Sequence, residues 1–151
     1  MRTQTVVLAG LALVLAAKAA RADIAGFYDV KYEQVSTNCQ APLNYPHGKL
    51  EVRVNGNSLI VDIDRTPKMV GIPAKNGKVS AKSKSGETMI SGMQGVFSVA
   101  GRITPEGLLH FVMVGEYTAG GKPLCSQSWN INGPRSDSTP PKPEPKLTPK
   151  K

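Results

Sequence analysis

Histidine, cysteine and aromatic residues are scarce in this chain, which has two His, two Cys, one Trp and only 5% aromatics among 151 residues. A metal site needs several convergent ligands. Neither His47 nor His110 has a second His at ligand spacing, a neighbouring Cys or an acid cluster. Asp62-x-Asp64 puts two carboxylates on one strand face, but no glycine-bearing calcium loop or third acid accompanies them. Cys-x-x-Cys redox spacing is missing. Gly92, Gly95 and Gly101 do not sit between a strand and a helix, as a phosphate-cradling loop requires. Ser58, Ser98 and Ser128 lack a nucleophile elbow. No stretch shows helical periodicity over ten residues. The sequence therefore names no catalytic residue, no metal and no cofactor, which weighs against an enzyme.

Long apolar runs are missing too, apart from Val6 to Ala17, twelve residues without a charge. This run follows Met1-Arg2 and precedes the small-x-small pattern Ala20-x-Ala22, the layout of a secretory signal peptide. It is shorter than the roughly 20 residues a membrane span needs. Residues 1–22 are expected to be a leader, and the mature product periplasmic or secreted. Acids are outnumbered by bases, 11 to 19. Losing Arg2, Lys18 and Arg21 with the leader leaves 16 bases. Five of these and two acids fall in the Pro- and Lys-rich segment 134–151. Residues 23–133 then hold 11 bases against 9 acids, so the high isoelectric point belongs mainly to the two ends. It does not mark a nucleic-acid-binding domain. The segment 134–151, with six prolines, is expected to be an extended disordered tail, a candidate contact for anionic envelope polymers.

What the middle does contain is period-two alternation. Tyr28-Asp29-Val30-Lys31-Tyr32-Glu33 alternates strictly, as does Leu50-Glu51-Val52-Arg53-Val54. Asn55-Gly56 predicts a two-residue hairpin that sets Lys49 against Asp62; centring the turn on Gly56-Asn57 instead sets Glu51 against Asp62, a like-charge pair. Short strands follow at Met69–Ile72, at Gly77–Lys84 (read as a lysine-protected edge) and near Thr88–Ile90. Longer ones follow at 96–104, 108–118 and 124–131, with turns at Pro105-Glu106-Gly107 and Gly120-Gly121. These predict a single all-β domain over 23–133, an antiparallel up-and-down barrel of about eight strands, or else a two-sheet β-sandwich. Cys39 and Cys125 are expected to form one disulfide, worth roughly 4–5 kcal/mol in the chain-entropy view of so long a loop.

Gly26-Phe27-Tyr28 at the first strand and Arg135 beyond the last resemble the small calycin barrels, such as lipocalins and avidins. Lipocalins carry Gly-x-Trp there, with a basic side chain from near the C-terminal end packed over the ring; Tyr28 stands at the Trp position. The resemblance implies a small barrel. The inward set Tyr28, Tyr32, Phe111, Met113 and Trp129 would then line a site for one small apolar or amphipathic ligand, in a non-enzymatic binding protein. The alternative is a module for an acidic protein partner, such as an inhibitor of a lytic enzyme or an envelope accessory protein. It would use the acid-free basic run, notably Arg65, Lys68, Lys78, Lys82 and Lys84. A third reading is a hydrolase using His47 or His110.

Overall fold

The computed structural model describes residues 24–136, which hold nine antiparallel strands and one 3-10 turn. The strands are β1 (Gly26–Thr37), β2 (Gly48–Asn55), β3 (Ser58–Ile63), β4 (Met69–Gly71), β5 (Lys78–Ser83), β6 (Gly86–Glu87), β7 (Met93–Ile103), β8 (Leu108–Ala119) and β9 (Lys122–Ser136). The expected leader 1–22 and nearly all of the expected tail lie outside the described residues. The fold is all-β. Each strand pairs with its neighbour in sequence up to β5; β5 then pairs with β7, and β9 returns to β1. The pairings thus run round a ring of eight strands, with β6 hung on the far end of β7.

Alternation explains which face is filled. Tyr28 and Val30 on β1, Leu50 and Val52 on β2, and Leu59, Val61 and Ile63 on β3 all point into one shared core, as do Leu109, Phe111 and Met113 on β8. Their partners in the opposite phase are exposed, Leu108 and Val112 among them. Each large apolar side chain buried this way contributes about 1.5–3 kcal/mol. Close strand approach is set by glycines on the inward phase. A Cβ on Gly101 would lie 2.0 Å from the His110 carbonyl oxygen, and one on Gly133 would lie 1.8 Å from that of Asp29.

Two expectations need correction. The β2–β3 turn is centred on Gly56-Asn57, not Asn55-Gly56: Asn55 pairs with Ser58, and Glu51 stands directly opposite Asp62. The like charges coexist because Arg53 reaches both, Nη2 at 3.2 Å from Asp62 and Nε at 3.8 Å from Glu51, while Lys68 Nζ lies 3.8 Å from Asp62. Likewise β5 is no edge, since β4 and β7 pair with it on either side. Its lysines do not guard a free edge.

The two ends of the ring are closed differently. At one end Arg135, still within β9, pairs in register with Tyr28. Its guanidinium carbon sits 5.6 Å from the Tyr28 ring centroid, and Nη2 donates to the Tyr28 hydroxyl at 3.1 Å; that hydroxyl donates to the Ile24 carbonyl at 2.7 Å. At the other end the loop after β1 folds inward. The Cys39–Cys125 disulfide, with Cα atoms 5.1 Å apart, ties the start of this loop to β9. Leu43 and Tyr45 are buried as a plug, Tyr45 edge-on to Trp129 at 5.2 Å and beside Tyr32 at 5.5 Å. Gln127, buried, holds the plug by its amide. Its oxygen accepts from the Leu43 N–H and the Tyr117 hydroxyl, and its nitrogen donates to the Leu43 carbonyl and to Gln34.

Candidate functional site

Four of the five inward residues have become core. Tyr28 and Met113 expose 0% of their surface, and Phe111 and Trp129 expose 2% each. A side chain with no accessible surface touches no void as large as a water molecule, so the ring interior around these residues is filled. Only Tyr32 is partly open. It lines a cleft of about 170 Å³ at the plugged end with Tyr45, His47, Lys49, Asp64, Arg65 and Met89. A wider cleft of about 610 Å³ continues from it past Arg65 and Met89 to Pro67, Glu87 and Thr88. Arg65 adopts a left-handed backbone, φ 64°. The turn is held by Thr66, whose N–H and hydroxyl both donate to the Ile63 carbonyl. One predicted ligand residue and one predicted partner residue thus meet here.

Burial also fixes the tyrosine hydroxyls. Loss of hydration pushes Tyr45 up, with Tyr117 and Tyr32 nearby adding to it; burial raises Tyr117 as well, and burial with the Asp64 carboxylate raises Tyr32. All stay neutral donors through the physiological range.

The basic run divides. Arg65 and Lys68 sit on the β3–β4 turn, each within 3.8 Å of a carboxylate, Asp64 and Asp62 respectively. Lys78 and Lys82 project outward from β5, and Lys84 follows it, exposed. Strand register adds a cation the sequence order hides: Lys78 stands beside Arg102 of β7, which stands beside His110 of β8. His110 Nδ1 is 2.8 Å from Asn132 Oδ1. Two residues along, Ser80, Ala100 and Val112 form the next row; two further come Val70, Lys82, Ser98 and Val114. Between the walls lies an open trough of about 400 Å³, floored by small residues and lined by Val70, Val112 and Val114. Strands β4, β5 and β7 contain no Asp or Glu. On β8, Glu116 lies beyond Val114, beside Val96.

Among the described residues no group of three His, Cys, Asp or Glu side chains could hold a metal, and no helix is long and apolar enough to cross a membrane. Asp62 and Asp64 are engaged with Arg53, Lys68 and Arg65. His47 and His110 lie far apart in the fold, one at the plugged-end cleft and one on the outer sheet face. Compared with models of known families, with curated proteins and with solved structures, the chain matches none.

Proposed function

We propose that this protein is a non-enzymatic binding module, exported from the cytoplasm, that engages an acidic protein partner through the outer face of β4, β5, β7 and β8. The observation that carries this reading is that face itself. Lys78, Lys82 and Arg102 stand on it with no acid on β4, β5 or β7, beside half-exposed Val70 and Val112. Val70 and Val112 flank one open trough on that face, and cations beside it that have no ion-pair partner among the described residues steer an oppositely charged partner. We further read the ring as a calycin-like barrel, supported by Arg135 packed over Tyr28 and next to Gly26. The disulfide fits an oxidising compartment.

The test is a photo-crosslinking residue at Ser80, the chain being expressed in its own compartment. The expected result is a discrete protein adduct that disappears in Lys78→Glu/Lys82→Glu/Arg102→Glu. Adducts absent from Ser80, or unchanged by the triple reversal, would sink the reading. A rival is favoured by one observation: Tyr32, Lys49 and Arg65 meet in the plugged-end cleft, which has the makings of a site for a small amphipathic ligand. That reading expects the native mass spectrum of the purified protein to carry a sharp excess of a small organic molecule; a bare oxidised monomer counts against it.

A further inference from the structure

The spacing of groups on the outer face specifies more than a sign of charge. Resting on the partner reading above, we propose that the trough takes an extended partner segment with an acid, an aliphatic residue and a second acid on alternate positions, Glu-x-Leu-x-Glu in type. The period comes from the pleat. Lys78 and Lys82 are four residues apart on one strand and point the same way, which places their bases about 13 Å apart. Midway between them is Ser80, with Ala100 beside it, two small side chains that leave a low floor. An extended chain laid along β5 has the same repeat. Its first and fifth side chains fall over the two lysines and its third falls over the Ser80–Ala100 floor. There Val112 on one flank and Val70 on the other remove the aliphatic group from water. Arg102, next to Lys78, gives the acid at that end a planar fork for two hydrogen bonds.

Alternatives fit less well. A second copy of this chain would set lysine against lysine. A polyanion without apolar groups would leave Val70 and Val112 half exposed. The intervening residues of the segment point away, so they are unconstrained, and Pro is tolerated there because no ladder hydrogen bond is formed with the face.

Two synthetic peptides with equal composition and charge test this. One is a seven-residue Ser-based peptide carrying Glu, Leu and Glu on alternate positions; in the other the Leu is moved by one position. Binding to the intact oxidised protein is read by chemical-shift titration. The expected result is that the first binds roughly tenfold tighter than the second, with shifts centred on Ser80, Ala100 and Val112, and that Ala100→Leu, which fills the floor, removes the difference while leaving the fold's spectrum intact. Equal binding of both peptides would reduce the face to a plain anion-exchange surface and overturn the proposal. So would absence of binding by either at about 1 mM. If the peptides fail but the Ser80 crosslink still captures a discrete partner, the segment is wrong and the partner reading stands. If both fail, the partner reading falls with it.

Discussion

Gln127 shows how much one side chain can organise. Its amide has two donor hydrogens and two acceptor positions, and all four are used within the plug and its surroundings. Gln127→Leu keeps the volume and removes every partner at once. The Leu43 N–H and carbonyl and the Tyr117 hydroxyl would then be buried and unpaired, at about 1–3 kcal/mol each, less whatever relaxation recovers. We expect a loss of about 3 kcal/mol in urea unfolding, with the midpoint falling and the slope unchanged. A loss under about 1 kcal/mol would mean the plug is held by Tyr45 packing and the disulfide instead. Position 127 shares the phase of Trp129 and Ile131, but nothing local marks a Gln as a core residue, because two of its four bonds go to Leu43, 84 residues away, and a third to Gln34, 93 away.

At the scale of the strand, alternation was legible and register was not. Charged and apolar residues alternate over Tyr28–Glu33 of β1 and Leu50–Val54 of β2, so the faces of those two strands could be read directly. The β2–β3 register turned on a choice between two turn centres, and pairwise charge favoured the wrong one. What reverses the preference is Arg53, which bridges Glu51 and Asp62 from a neighbouring position on the same face. Arg53→Gln should therefore destabilise by about 1 kcal/mol through the like-charge pair it uncovers. The cost should shrink in high salt, since the groups are partly solvated. A salt-independent loss would place the effect in packing. Arg102 is hidden in the sequence because only the long-range β5–β7 pairing, which closes the ring, sets it beside Lys78. The plug was hidden likewise. A loop holding Cys39 and two prolines looks like surface until Trp129 is seen beneath Tyr45.

For the whole molecule, closure at both ends leaves a pH signature. All four tyrosines of the chain, Tyr28, Tyr32, Tyr45 and Tyr117, are raised chiefly by burial; Arg135 partly offsets this for Tyr28 by its hydrogen bond and charge. In the unfolded chain they ionise near their ordinary value of about 10. Above that pH the unfolded state holds fewer protons than the folded one, so stability is complete below about pH 10 and falls as pH rises beyond it. The urea midpoint should hold steady from neutral pH to about 9 and drop steeply past 10, with tyrosinate absorbance appearing only as the protein unfolds. Tyr45 isolates the cause. Its hydroxyl is buried and has no hydrogen-bond partner among the described residues, so Tyr45→Phe removes a titrating group without breaking a bond seen there. It should match or exceed wild-type stability at neutral pH and lessen the alkaline slope. Tyrosinate forming at its ordinary pH in the folded protein would mean that water reaches these rings, and the filled interior, on which the outer-face proposal leans, would have to be given up.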